Sequence, residues 1–323
     1  MLDRDISIVI PTRNRASLLA KTLPSYANQT YPSEFFEIIV VDNASEDNTA
    51  NVVNALATSS KVRIKYMEER NIGLHHARHS GAKAANSELI LYGEDDIVAS
   101  EKLVEEMMSC FSDNKIAAVG GRIDALWEIE PPSWLIDFVG TQYLGLLNLG
   151  EGVFQLSDKQ YVCGGNFCIR KKILFDVKGF NPDGFSRDKM HLRGDGEIGL
   201  LKKMHKKNYR ILYNNNAFVQ HMISEERISL PYVKKRFSNE GISASFTAAR
   251  KYGGSRLCIL SDAVITMFRL IFYQTQKTLI GGPRRIKSEV FSHYLWSRFK
   301  HDFRIIADSN LRGHVVKNNF LDN

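Results

Sequence analysis

Glu94, Asp95 and Asp96 stand side by side where the apolar run Leu89-Ile90-Leu91-Tyr92 ends. Adjacent carboxylates repel, and each raises the pKa of the next. Such a triplet calls for a cation. Carboxylate oxygens suit a hard divalent ion such as Mg²⁺ or Mn²⁺, held by one or two carboxylates while a phosphate supplies further ligands. A cation that bridges two phosphates stabilises a diphosphate as it leaves. Other runs end in the same way. Ile6–Ile10 exits into Pro11-Thr12-Arg13-Asn14, and Phe36–Val41 exits into Asp42-Asn43-Ala44-Ser45. Asp42 or Asp47 alone could cap the helix that follows. Taken together, the exits point to one shared cleft.

The elements behind these residues alternate. "ISIVIP", "FEIIVVDNA", "KVRIKYMEE", "ELILYGE" and "IAAVGGRI" read as strands. Between them, "RASLLAKTLPSYANQ", "EDNTANVVNALAT", "LHHARHSGAKAAN" and "SEKLVEEMMSCFS" have helical spacing. Continuous apolar strands alternating with amphipathic helices predict an α/β fold whose parallel sheet is covered on both faces. In such sheets ligands bind beyond the carboxyl ends of the strands. Residues 127–160 carry paired prolines, two tryptophans and many glycines, and read as a long irregular segment of functional type. "GGNFCIRKKILFDVKGFNPD" then gives a strand, a helix and a turn. "GDGEIGLLKKMHKKNYRILY" gives an amphipathic helix and a strand, and "AFVQH" closes the core near His221.

From Leu230 onward the pattern is helical. From Pro231 to the end there are 16 basic and 6 acidic residues, a net of +10, whereas the first 230 residues carry a net of −3. A basic tail suits an anionic lipid or another acidic surface, or is simply a solvated face. Its most apolar stretch, "SRLCILSDAVITMFRLIFYQTQKTLIGG", contains Asp262, Arg269 and Lys277, which argues against a lipid-spanning helix. Core packing, a helix lying on a membrane and a homodimer interface all stay open for it. Met1 leads directly into the first strand, so no secretory leader is expected. Cys110, Cys163, Cys168 and Cys258 show no CxxC or zinc spacing and read as reduced thiols of a cytoplasmic protein, acting in solution or on the inner face of the membrane.

Several functional classes lack their signatures. No GxGxxG follows the first strand, and neither GxxxxGK[ST] nor GxSxG occurs. The tail shows no nucleic-acid recognition motif. His75, His76 and His79 cluster, yet only His75 and His79 share a helical face and no HExxH pattern joins them, so zinc is not expected. Trp127 and Trp134 could stack on a sugar or pack in the core.

In its ordered motifs the chain resembles the family 2 glycosyltransferases of the GT-A fold, with a weaker likeness to bacterial members that build surface polysaccharides. The likeness rests on "SIVIPTRNRASLLAKTLPSYANQT", "FEIIVVDNASEDNT", "NIGLHHARHSGAKAANSELILYGEDD", "GGNFCIRKKILFDVKGFNPD" and "RGDGEIGLLKKMHKKNYRILYNNNAFVQH", and covers roughly residues 5–222. It implies a GT-A catalytic domain over 1–228, with a nucleotide-sugar half (1–125) and an acceptor half (126–228), followed by a basic helical extension over 229–323. It implies inverting transfer of a sugar from a nucleotide sugar, expected to be a UDP-sugar, to a glycan or lipid-linked hydroxyl, assisted by Mn²⁺ or Mg²⁺.

The resemblance also assigns roles. Pro11, Thr12, Arg13, Asp42 and Asn43 would shape the base pocket. Arg78 would lie near the phosphates or brace the cleft, and Glu94, Asp95, Gly165 and Asn166 would contact the nucleotide sugar. Asp95 would be the first metal ligand, with Asp96 and His221 beside it. Asp195 would be the general base and Glu197 its alternate. The sequence departs from the family at Gly93, His79 and Gly194, which stand where the first Asp of DxD, an Asn and a Glu are expected. A non-catalytic sugar-nucleotide-binding protein and a sugar-nucleotide pyrophosphorylase are the competing readings. The latter would need a Gly-rich loop after the first strand, and "PTRNRAS" has no glycine.

Overall fold

A computed structural model describes residues 5–321 of the chain. The residues on which the no-leader expectation rests, Met1–Arg4, lie outside the described residues. The chain begins β1 (Ile6–Thr12), α1 (Ala16–Ala27), β2 (Phe36–Asp42), α2 (Thr49–Ser59), β3 (Arg63–Glu68), α3 (Leu74–Ala84), β4 (Leu89–Tyr92), β5 (Ile97–Ala99), α4 (Leu103–Ser109) and β6 (Ile116–Trp127). It continues with β7 (Val153–Gln155), β8 (Phe167–Arg170), α5 (Lys171–Asp176), α6 (Gly196–Lys206) and β9 (Arg210–Ile223). The C-terminal helices are α7 (Leu230–Lys251), α8 (Arg256–Leu279), α9 (Gly282–Ala307) and α10 (Ser309–Val316).

The nine strands form one sheet in the order β3-β2-β1-β4-β8-β6-β9-β5, with β7 also paired to β9. β1 and β2 are buried along their whole length, as strands covered on both faces must be. The parallel arrangement predicted from the alternating pattern holds from β3 through β4. Beyond β4 the sheet is mixed. β8 runs antiparallel to both β4 and β6, and β9 runs parallel to β6 but antiparallel to β5 and β7. The adjacent parallel strands β2, β1 and β4 deliver their carboxyl ends to one edge of the molecule.

β9 is a single 14-residue strand joining the "RILY" and "AFVQH" runs. Its pairing with β6 slips between Gly121 and Arg122, where the partner jumps from Asn214 to Phe218. Such a bulge leaves ladder carbonyls without partners. Asn166 Nδ2 fills the gap, donating to Ala217 O at 2.8 Å and Arg122 O at 3.0 Å.

Residues 127–160 hold β7, one π turn (Leu135–Val139) and a short 3₁₀ turn (Gln142–Leu144). The segment is pinned by packing. Leu135, Tyr143 and Leu144 join Ile223, Val233 and Val290 in a second apolar core, against which Trp127 and Trp134 lie. A third core joins Phe246 of α7 to Ile259 of α8, Ile305 of α9 and Phe320. α7 therefore packs on the sheet domain rather than trailing from it.

Candidate functional site

A cleft of about 770 Å³ opens beyond the carboxyl ends of β1 and β4, lined by Thr12, Arg13, Glu94, Asp96, Asp195, Glu197 and His221 among others. Its acidic floor is built by β4, which ends at Tyr92 and releases Glu94-Asp95-Asp96 into a turn before β5. β5 pairs with β9 so that Ile97 faces His221, and this register brings the imidazole beside Asp96. His221 Nε2 lies 3.3 Å from Asp96 Oδ2.

The three carboxylates have separate partners. Asp95 is turned toward β1 and α1, where Thr12 Oγ1 donates to Oδ2 at 2.7 Å and Arg15 Nη1 to Oδ1 at 2.8 Å. Asp96 Oδ2 accepts from Arg15 at 2.9 Å and Arg227 at 2.7 Å. Burial raises the Asp96 pKa, but the hydrogen bond and charge of His221, then Arg227 and Arg15, outweigh it and hold the group well below the carboxylate range. Burial pushes Asp95 the other way, with Arg15 opposing it only in part. The guanidiniums of Arg15 and Arg227 thus carry much of the charge compensation that a cation alone was invoked to supply.

The candidate metal donors are Glu94, Asp96 and His221, each offering one ligand atom within 4.8 Å of the others. Two carboxylates and an imidazole suit Mn²⁺ or Mg²⁺. Asp96 Oδ1 is buried and has no hydrogen-bond partner among the described residues, so an acceptor is available there. The geometry therefore groups Glu94 with Asp96 and His221. Asp95, expected as the first ligand, has both its oxygens engaged by Thr12 and Arg15.

Arg78 is almost fully buried and braces the cleft. Its Nη2 donates to Glu94 Oε1 and its Nη1 to Glu197 Oε1, each at 3.1 Å. The Phe180 ring lies 5.1 Å from the guanidinium carbon, covering it with an aromatic face. Gly164 leaves the space: a Cβ there would lie 2.4 Å from both Arg78 Nη2 and Glu197 Oε1. At Gly165 a Cβ would press on Ile97 at 2.6 Å and on the Glu94 carboxylate at 3.1 Å. Asn166, expected to contact the nucleotide sugar, is fully buried: its Nδ2 closes the β6–β9 bulge, while its Oδ1 is buried without a hydrogen-bond partner among the described residues.

Asp195 precedes α6 and lines the cleft, but its side chain makes no capping bond to that helix. Its partners come from elsewhere. Asn181 Nδ2 donates to Oδ1 at 2.6 Å, and Thr247 Oγ1 of α7 donates to Oδ2 at 2.7 Å. Both donors are neutral, and a carboxylate has about four lone-pair sites, so acceptor capacity remains. Glu197 Oε1 is taken by Arg78 and by Gly164 N at 3.2 Å.

The β2 end is built as a latch. Asp42 accepts from Ser45 N at 2.8 Å and Tyr66 Oη at 2.9 Å. Asn43 lines the cleft, donates to the carbonyls of Glu69 and Asn71, and accepts from Gly73 N at 2.8 Å. Gly73 has φ 155°, a value that favours glycine, and α3 starts from it. Pro11 and Arg13 line the cleft, and Arg13 Nε is buried without a hydrogen-bond partner among the described residues.

His75 and His79 hold the 180–183 turn: His79 Nε2 accepts from Phe180 N at 2.9 Å and His75 Nδ1 from Asp183 N at 3.1 Å. Burial lowers both pKa values, that of His75 to about 3, in keeping with neutral acceptors.

Sequence reasoning missed Arg15, Arg227, Asn181 and Thr247. Arg15 was within reach, since it opens the helix straight after the β1 exit. The other three depend on tertiary contacts with no local signal. It also missed the wall contributed by α7, which brings Tyr232, Arg236, Glu240 and Ser243 to the cleft.

Comparison with known proteins gives a consistent picture. The family model described as Glycosyl transferase family 2 matches residues 7–177, more than half of the chain. A validoxylamine A glucosyltransferase of Streptomyces hygroscopicus subsp. jinggangensis is 36% identical over 106 residues, covering 32% of this chain and 25% of the relative. The matched stretch thus spans about a quarter of that relative's length. Among solved structures, the mannosyltransferase PcManGT of Pyrobaculum calidifontis, in complex with GDP-Man and Mn²⁺, aligns with TM-score 0.54 at 15% identity, over 94% of this chain and 74% of that one. Staphylococcus aureus TarS 1–349 in complex with UDP-GlcNAc aligns with TM-score 0.53 at 16% identity, over 91% of this chain and 90% of that one. TarS is a poly(ribitol-phosphate) β-N-acetylglucosaminyltransferase. At these identities the structural likeness speaks to the fold, which is GT-A with a helical C-terminal region.

Proposed function

The chain belongs to glycosyl transferase family 2, and from that premise we propose that it moves a sugar from a nucleoside diphosphate sugar, a UDP-sugar by preference, to a hydroxyl of a glycan or lipid-linked acceptor with inversion. The observation that carries this reading is Asp195, a carboxylate held by two neutral donors in the same cleft as Glu94 and Asp96.

In this reading the diphosphate lies over the Glu94–Asp96 floor and the base lies toward Pro11, Arg13 and Asn43. The acceptor oxygen attacks the anomeric carbon from the face opposite the diphosphate. Its proton passes to Asp195, the new glycosidic bond forms, and the bond to the diphosphate breaks with its electron pair leaving on the phosphate oxygen. Asn181 and Thr247 hold the Asp195 carboxylate in place through the transfer. Glu197 is assigned to bracing Arg78 rather than to proton transfer, because its Oε1 is already shared by Arg78 and Gly164. Glu94, Asp96 and His221 are the residues that would hold a divalent ion, which when bound supplies positive charge against the diphosphate. All four cysteines are free thiols, in keeping with the cytoplasm as the proposed location.

A thermal-shift screen of nucleotide sugars with Mn²⁺ or Mg²⁺ tests the reading, because a specific donor stabilises the folded state by mass action. A UDP-sugar is expected to stand out and to be consumed when a hydroxyl acceptor is supplied. Donor binding with no turnover on any acceptor would favour a non-catalytic binding protein instead.

A further inference from the structure

α8 is 24 residues long and, among the described residues, the one helix long and apolar enough to cross a bilayer, yet only Ile259, Ala263 and Thr266 of it are buried. These three face α9, and Asp262 is paired with Arg298 of α9. The opposite face is open. Leu257, Leu260, Val264, Phe268, Ile271 and Phe272 are all exposed, Leu257 at 80% and Phe268 at 64%. At 3.6 residues per turn they fall within an arc of roughly 120°, and no charged residue of the helix lies inside it. An apolar stripe of this length is far more than a soluble surface scatters at random.

Charge surrounds the stripe. Between Arg256 and Lys287 the sequence has six basic residues and a single acid, Asp262. Arg284, Arg285 and Lys287 are exposed where α9 begins, at the tip of the α8–α9 hairpin. On the α9 side, half-exposed Trp296 carries Lys300 5.3 Å from its ring centre. An apolar face with aromatic side chains and a cationic border matches the boundary between headgroups and acyl chains of an anionic membrane.

We infer that the exposed face of α8 docks this protein flat onto an anionic lipid surface, with the basic tip of the hairpin set among the headgroups. The helix passes the length and hydropathy needed to cross a bilayer, but its packing on α9 and Arg269 near its middle keep it at the interface. A second copy is the weaker occupant. Two-fold pairing of this face would set the basic borders of both copies against each other. The inference is independent of the sugar-transfer reading.

The test is co-sedimentation of the full chain with phosphatidylglycerol–phosphatidylcholine vesicles and with phosphatidylcholine alone. Binding to the anionic vesicles at low salt is expected, with release at high salt. Phe268→Glu with Phe272→Glu should weaken it by roughly tenfold or more, with Tm and nucleotide-sugar thermal shift unchanged. Arg284→Glu with Arg285→Glu, which leaves the apolar face intact, should weaken binding to anionic vesicles only. No binding at low salt, or binding indifferent to both double variants, overturns the proposal. So does a stable dimer in sedimentation that dissociates in the Phe268/Phe272 variant while vesicles stay bare.

Discussion

Thr247 donates its hydroxyl to Asp195 Oδ2 at 2.7 Å, so a residue in the fifth turn of α7 fixes the carboxylate that precedes α6. If Asp195 accepts the acceptor proton, Asp195→Asn should lower kcat by about 10²–10⁴-fold while leaving donor affinity within a few-fold. Thr247→Val should lower kcat by a smaller factor with the donor KM unchanged, since it loosens the carboxylate without touching the donor. A full-rate Asp195→Asn enzyme in a steady-state assay would remove the base assignment.

Asp96, one of the candidate metal donors, and Asp95, expected from the sequence as the first ligand, differ in their surroundings, and this separates their variants. Asp96→Asn should abolish Mn²⁺ binding followed by electron paramagnetic resonance in the presence of UDP. Asp95→Asn, acting through Arg15 and Asp96, should cost about tenfold, the size of an outer-shell effect. The reverse order of effects would return the first-ligand role to Asp95.

Arg78 is buried between Glu94 and Glu197 with no water-facing surface to spare. Arg78→Met would keep the volume and leave two carboxylates without their cation. A loss of about 3 kcal/mol or more is expected in urea unfolding. A loss under about 1 kcal/mol would mean that the carboxylates find other partners, against the bracing role.

The C-terminal helices carry their own pH dependence. Burial raises the Asp302 pKa to about 6, with Ser245 and Arg298 opposing the shift only in part. The folded chain therefore binds the Asp302 proton more tightly than the unfolded chain does. Its contribution is fully present below about pH 4 and is lost as pH rises through 6, up to about 3 kcal/mol in all. The buried histidines impose their own pH dependence on both proteins, so the Asp302 part is read as the wild-type stability minus that of Asp302→Asn, a difference that should fall across this window. Urea midpoints of both proteins at intervals from pH 4 to 7.5 check this, and a constant difference between them would refute it.

The fold was legible where burial wrote it into local pattern. β1 and β2 are continuous apolar runs, and their polar exits mark the cleft edge correctly. β5 was not legible: three residues straight after the acidic triplet carry no periodicity, yet its pairing with β9 is what brings His221 to Asp96. Asn166 has a structural task that the sequence did not announce. Its place in a "GGN" run suggested ligand contact; its amide nitrogen also serves backbone carbonyls at a bulge that only the folded sheet creates. Likewise the irregular stretch 127–160 was read as unusual, but apolar residues that anchor it lie far along the chain, Val233 on α7 and Val290 on α9. Its two tryptophans settle against that core rather than in the cleft.

The contribution of α7 to the cleft wall makes the chain a single mechanical unit. The helix that sets Ser243 and Arg236 on the cleft wall and Thr247 against Asp195 packs along α9, and α9 in turn carries α8. A chain cut after residue 228 would lose both the outer wall of the pocket and the donor that steadies Asp195, so it should neither turn over nor hold donor normally. The same packing joins α8, through α9 and α7, to the Thr247 hydroxyl that holds the Asp195 carboxylate.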